Sequence, residues 1–284
     1  MEDLVWKVVR TLTESASDPA PRGSVYTTQV VLAVGLWAIL HDRPFCWACR
    51  AENWPSTRRP SSLPHPSTLS RRWRSRAIVT ALRRLHRMTV QAAGSPGRTV
   101  AIDGRSLLVG GASKDPDAKP GRAVGGMGRG YKLHAMIDAK GVVVCFDVRS
   151  LNVAEQSVAK KLLTLAPRAV KRVVGDAIYD SVRVHRAARA KGRKLYTRLR
   201  QGRVGARQQP ERLRVLRVLR TGAGRRLLHW RDSIERAFGR MSNLGFGLKG
   251  LPPWSRRLHR ATAWITGKII FYNAYIVLKQ RSKA

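Results

Sequence analysis

Three acids have the type and spacing to do chemistry. Asp103 closes the apolar run Thr99-Val-Ala-Ile102, Asp176 closes Arg172-Val-Val-Gly175, and Glu235 sits in Ser233-Ile-Glu-Arg-Ala-Phe238. The 284-residue chain carries 55 Lys and Arg against 17 Asp and Glu, a net charge of +38, so acids are scarce and their placement is informative. Carboxylates are hard oxygen donors, and two at strand ends with a third from a helix can hold divalent metal ions at a sheet edge. Two such ions suit in-line displacement at a phosphodiester, with Asp103 bridging them and Asp176 and Glu235 each closing off one.

Composition agrees with that target. A pI near 11.7 draws a protein onto polyphosphate, which makes DNA or RNA the expected partner and anionic membrane a weaker one. A hydrophobic share of 43% puts this charge on a folded protein rather than a disordered one. The acidic start Met1-Glu-Asp lacks the cationic region of a secretory signal. The run Val30 to Leu40 is too short to span a bilayer, and Ala261 to Leu278 is interrupted by Lys268 and Asn273, so both are expected to be core helices with no membrane role. Three cysteines, an odd number, suit a reducing cytoplasm, with a nucleoid association implied by the DNA partner. Cys46 and Cys49 form a Cys-x-x-Cys that would need His41 and His65 to hold zinc, but that spacing fits no usual zinc pattern and free thiols are expected.

The elements that must position the acids follow from periodicity. Residues 1–97 are expected to be a helical, DNA-binding region, with apolar clusters at Leu4 to Leu12 and Val30 to Leu40. A helix from about Leu69 to Met88, capped by Ser67 or Thr68, carries Arg71, Arg72, Arg74, Arg76, Arg83, Arg84 and Arg87. Between Arg43 and Arg98 there are 12 basic residues and one acid, Glu52, a pattern suited to DNA contact. Residues 98–284 are expected to form the catalytic domain. Its strands are predicted at Thr99 to Ile102, Gly130 to Ile137, Val142 to Val148, Arg172 to Val174 and Lys194 to Leu199, with helices at Ala154 to Leu165 and Ser181 to Ala190. That order implies an α/β fold, an RNase H-like mixed sheet flanked by helices, in which the first and fourth of these strands are neighbours and Asp103 meets Asp176. Gly104 to Gly130 is expected to be a mobile loop. From Ser181 to Arg231 there are 17 Lys and Arg and one acid, Glu211, and a basic segment at about 200–228 is expected to line a nucleic-acid groove.

At these residues the sequence resembles the DDE transposases of bacterial insertion sequences, the cut-and-paste class with an RNase H-like catalytic domain. The resemblance runs from about Val100 to Phe271. It is carried in order by Ile102-Asp-Gly104, Ser113-Lys-Asp-Pro-Asp117, Gly130-Tyr-Lys-Leu-His134, Asn152-Val-Ala-Glu155, Gly175-Asp-Ala-Ile-Tyr-Asp-Ser181 and Ile234-Glu-Arg-Ala-Phe-Gly-Arg240. It implies that Asp103, Asp176 and Glu235 are the catalytic triad and that Mg²⁺ or Mn²⁺ is the cofactor. The implied reaction is nicking at terminal inverted repeats, release, and strand transfer to target DNA. Arg231 matches the family pattern Tyr-x2-Arg-x3-Glu-x6-Lys, whose tyrosine and lysine positions are here Leu228 and Ser242; that departure bears on the hairpin-end intermediate. Synapsis of two double-stranded DNA ends implies a homodimer on DNA.

Lys132 and His134, two apart on one strand face, are candidates for phosphate contact. Trp230 and Trp254 flank the Glu235 helix as candidates for base stacking, with packing roles the commoner outcome. Two other readings compete: a metal-dependent RNase H-like nuclease without strand transfer, and a non-catalytic DNA-binding protein descended from a transposase.

Overall fold

A computed structural model describes residues 1–16, 23–94, 96–198 and 210–282, which fall into two compact units, 1–93 with 241–284 and 94–240. The first unit is helical: α1 (Glu2–Ala16), α2 (Thr28–Leu40), a short α3 (Phe45–Ala48), α4 (Pro66–Trp73) and α5 (Arg76–Ala92). Thr27 caps α2 by accepting from the Val30 amide at 3.2 Å. The helix is apolar all round and is buried nearly throughout, as such a helix must be.

The single helix expected over Leu69 to Met88 is two helices. Arg74 ends α4, and Ser75 turns extended (φ −66°, ψ 151°) to accept from the Ile78 amide and cap α5. A serine that bonds a nearby amide offers the backbone an alternative to a continuous helix, and here that local bond wins over the unbroken apolar periodicity. The cap assigned to Ser67 or Thr68 belongs to His65, with Pro66 in the first turn.

The second unit contains β1 (Thr99–Leu108), β2 (Lys119–Ala123), β3 (Gly126–Asp138), β4 (Val143–Ser150), α6 (Glu155–Leu165), β5 (Arg172–Gly175), α7 (Val182–Ala190), β6 (Lys194–Thr197), α8 (Pro210–Arg220) and α9 (Gly222–Leu228), then most of α10 (Arg231–Asn243). The sheet runs β2-β3-β1-β5-β6, with β4 also paired to β3. β3 is antiparallel to β1 and β4, whereas β5 is parallel to β1 and β6. This is the RNase H-like mixed order expected, with β1 beside β5. One face packs α6 and α7 through Val100, Ile102, Met136, Val158, Leu162, Val173, Val184 and Leu195. The other packs α8 and α9 through Val174, Tyr196, Val215 and Leu227.

Three details differ from the sequence reading. β1 runs on to Leu108, and the expected loop after Asp103 contains β2, a strand that its Pro and Gly content concealed. The Ser113 to Asp117 stretch is anchored: the Tyr131 hydroxyl donates to buried Asp115 at 2.7 Å, and the Arg129 guanidinium donates to the carbonyls of Ser113, Asp115 and Ala118. Leu199 of the fifth predicted strand and residues 200–209 of the basic segment lie outside the described residues.

The last helix, α11 (Leu258–Arg281), packs with α1, α2 and α5 in the first unit. Its polar interruptions are core residues. Lys268 pairs with Asp42 at 2.9 Å and donates to the Leu40 carbonyl at 3.3 Å, and Asn273 donates to Thr89. No helix among the described residues is long and apolar enough to cross a membrane. Trp37 stacks on Trp54 at 4.7 Å and meets Trp6 edge-on at 5.0 Å, filling the space between α1 and α2.

Gly35 marks the closest approach of α2 and α4, since a Cβ there would fall 2.0 Å from the Trp73 ring. Gly35→Ala is expected to force the two helices apart at a cost of about 1–3 kcal/mol. Thermal denaturation checks this: a midpoint no lower than that of the parent would contradict the packing described.

Candidate active site

Asp103 and Asp176 are brought together by strand register. The parallel pairing of β1 and β5 ends with Ala101 opposite Val174, and each aspartate follows two residues later on its own strand. Partnered residues of parallel strands point to the same side, so both carboxylates leave the sheet on the face that carries Ala101 and Val174. Asp103 accepts the Gly104 amide at 2.7 Å and Asp176 accepts the Ile178 amide at 2.9 Å. The second bond caps the single 3₁₀ turn Ala177–Tyr179 that follows β5.

Burial pushes the Asp103 carboxyl up to about 6, against the Gly104 amide that lowers it, and the charges of Asp176 and Glu155 add to the rise. Asp176 is raised for the same first reason, burial, with Glu155 contributing. Arg231 opposes the rise at both. The result is a pair of partly dehydrated carboxylates, each raised further by a neighbouring acid and opposed by Arg231.

Glu235 comes from α10. This helix is fixed to the aspartate face by Arg105, whose guanidinium donates to the Phe238 carbonyl at 2.6 Å and lies over the Phe238 ring. Ile234, Ala237 and Phe238 are buried, which turns Glu235 outward; its side chain is 61% exposed and pairs with Arg231 one turn earlier at 3.4 Å. Arg231, the partner of Glu235, is one of the charges acting on both aspartates. Among the described residues no three His, Cys, Asp or Glu side chains form a group of metal-binding size. Two members of the expected triad are thus brought together by the strands, and the third is exposed on α10 and paired with Arg231.

Lys132 and His134 are on the wrong face for the role given them. Their period of two does put them together, but β3 pairs Lys132 with Ser106 and His134 with Gly104, one step out of phase with Asp103. They point under α6. Lys132 is held by Glu155 at 2.6 Å, and His134 is 1% exposed, with neither ring nitrogen bonded. Burial lowers the His134 pKa to about 4. A phosphate contact by His134 is therefore closed off by the sheet itself.

The remaining candidates are spread between the units. Arg71 and Arg74 are exposed on α4, whereas Arg72 is half-buried and donates to the Tyr26 carbonyl at 3.1 Å. Trp230 packs against the cluster of Val174, Tyr196 and Val215, and the Trp254 ring nitrogen donates to the Asp42 carbonyl, so both serve packing. Cys46 and Cys49 are free thiols, His65 bonds Ser67, and His41 pairs with Glu2.

Sequence reasoning missed two members of the site. Arg105 carried a signal, lying two residues after Asp103 and so on the same strand face. Glu155 carried only its place in one of the family-like words, because its partners on β3 and after β5 are brought to it by the sheet.

An RNase H-like sheet with aspartates at two neighbouring parallel strand ends defines a class of α/β protein with an acidic edge. Residues 94–274 match the family model of the transposase DDE domain, and the chain belongs to that family: it is a DDE transposase. A cryo-EM structure of a piggyBac transposase synaptic complex with hairpin DNA aligns with a TM-score of 0.49 at 13% identity, covering 99% of this chain and 73% of that one. No curated protein matches the chain.

His134 supplies a pH test of this geometry. Its folded pKa of about 4 lies below the ordinary value of 6.5, so the stability it contributes is present above 6.5 and is lost as pH falls towards 4. At about 1.4 kcal/mol per pH unit, His134→Leu is expected to remove about 2 kcal/mol of the destabilisation seen between about pH 7 and about pH 5. Denaturant titrations of both proteins at the two pH values check it; equal losses would place His134 in water.

Proposed function

We propose that this transposase cleaves DNA at the terminal inverted repeats of a bacterial insertion sequence and joins the released ends to target DNA, using Asp103, Asp176 and Glu235 as ligands for Mg²⁺ or Mn²⁺. The observation that carries this reading is the register that sets Asp103 beside Asp176 in a chain of the transposase DDE family. The donor set suits a hard divalent cation. Both aspartates offer oxygen, both are held above their ordinary pKa chiefly by burial with nearby carboxylates adding to the rise, and a cation would relieve it.

Asp103 and Asp176 would hold the metal from the strand ends, and Glu235 would complete the set from α10. Held by these residues, a divalent metal would supply activation of the attacking oxygen and would offset charge on the leaving one. Arg231 offsets the carboxylate charge meanwhile and is itself bonded to Glu235. The Arg105 contact holds α10 over the aspartate face. Exposed arginines on α4 and α5, Arg71, Arg74, Arg76, Arg83, Arg84 and Arg87, are assigned to the DNA backbone. So is the basic segment that ends in α8 and α9. Synapsis of two ends makes a homodimer on DNA the working assembly, in the nucleoid of a bacterial cytoplasm.

Asp176→Asn is expected to abolish Mg²⁺-dependent cleavage of a terminal-repeat duplex. It keeps the cap on the Ile178 amide, so folding and DNA affinity should change little. An oligonucleotide assay that resolves nicked, cleaved and joined products checks it, and cleavage without joined products in the parent protein would move the assignment to a nuclease. DNA affinity is expected to fall by about 10³-fold or more between about 50 and 200 mM salt if six or more phosphates are neutralised. A flat salt dependence would remove the arginines from the interface.

A further inference from the structure

Glu155 opens α6, where the preceding Ala154 offers no side-chain cap. Its carboxylate is spent elsewhere. One oxygen accepts from the Lys132 ammonium on β3 at 2.6 Å, and the other accepts from the Tyr179 hydroxyl at 2.7 Å. Glu155 and Lys132 are only 12% and 15% exposed, and Tyr179 is 1% exposed. Burial alone would raise the Glu155 carboxyl, but the bonds from Lys132 and Tyr179 hold it below the ordinary range.

Both partners lie against the backbone that carries the aspartates. A Cβ on Gly104, directly after Asp103, would come within 3.1 Å of the Lys132 side chain and 3.4 Å of the Glu155 carboxylate. A Cβ on Gly175, directly before Asp176, would come within 2.8 Å of the Tyr179 ring and 2.9 Å of Ile102. The two glycines are therefore the places where this clasp is let down onto β1 and β5. The clasp lies on the α6 face, behind the strands, while the aspartate side chains leave the other face.

We infer that Glu155 is a positioning residue for the metal site: by gripping Lys132 and Tyr179 at once, it sets from behind the sheet the spacing and direction of Asp103 and Asp176. The inference rests on the reading of those aspartates as metal ligands. Glu155 touches neither substrate nor metal in this role. The physical need is strict, since Mg²⁺ demands near-ideal octahedral geometry at short oxygen distances, and a small splay of two strand ends spoils it. The charge of Glu155 acts on both aspartates through the strands, and Lys132, paired with it, supplies the balancing charge.

The test is Mn²⁺ binding to the full-length protein without DNA, by calorimetry, with thermal midpoints measured alongside. Glu155→Ala is expected to weaken Mn²⁺ binding about 10-fold or more, as loss of groups that orient metal ligands commonly does. Glu155→Gln, which keeps the Tyr179 bond and the side-chain volume, should recover part of that loss, and the double variant Glu155→Gln/Lys132→Gln, an uncharged amide pair, more of it. A purely structural role would lower the thermal midpoint without this graded order. Parent-like Mn²⁺ affinity in Glu155→Gln and in Glu155→Ala overturns the inference, and if Glu155→Ala does not fold, parent-like affinity in Glu155→Gln alone does so. Should Asp176→Asn bind Mn²⁺ as tightly as the parent, the metal site itself has been misassigned, an outcome distinct from failure at Glu155.

Discussion

Parallel pairing of β1 with β5 sets two like charges side by side at the edge of a sheet, and the surrounding architecture answers that constraint. Two carboxylates half out of water repel one another, and burial raises the energy of each charged form. The chain offsets this with backbone amides from Gly104 and Ile178 and with the approach of Arg231. Protonation of Asp103, whose carboxyl burial pushes up to about 6, offers a further relief below that pH. None of these neutralises the pair completely, which leaves an acidic edge suited to a cation within a protein of strongly basic surface.

The two faces of the sheet divide the work. On one, Arg105 draws α10 down by its Phe238 carbonyl and so delivers Arg231 and Glu235 to the side from which the aspartates project. On the other, α6 packs Val158 and Leu162 into the core while its first residue grips Lys132 and Tyr179. Gly104 and Gly175 have ordinary backbone angles; what they provide is room for side chains crossing the strand ends. Four of the six family-like words thus meet in one interlock, which gives their residue choice a packing reason independent of any catalytic one.

Much of this was legible in advance, for reasons that differ by residue. Short runs of Val, Ile and Ala ending in an aspartate, as at Thr99 to Asp103 and Arg172 to Asp176, mark buried strands because few other structures bury such runs, and the strand order restricts which are neighbours. The helix break at Ser75 was misread because apolar periodicity continues across it while one local hydrogen bond ends it. His134 was misread because a period of two specifies that residues share a face, not which face; register against β1 decides that. α11 is legible as a buried helix, but apolar content does not say against what, and the fold supplies α1, α2 and α5.

Taken by itself, the sequence determined the charge, the scarcity and the strand-end placement of its acids, and hence the kind of chemistry to look for. Those are properties of local composition and periodicity, which short windows encode. Tertiary structure decided which face each acid leaves and that Asp103 meets Asp176. It also decided that Glu235 is exposed on α10 and paired with Arg231, and that Glu155 binds two partners behind the strands. Those depend on register and on contacts across 23 and 24 residues at Glu155 and 133 at Arg105, separations at which only the folded sheet can choose a partner.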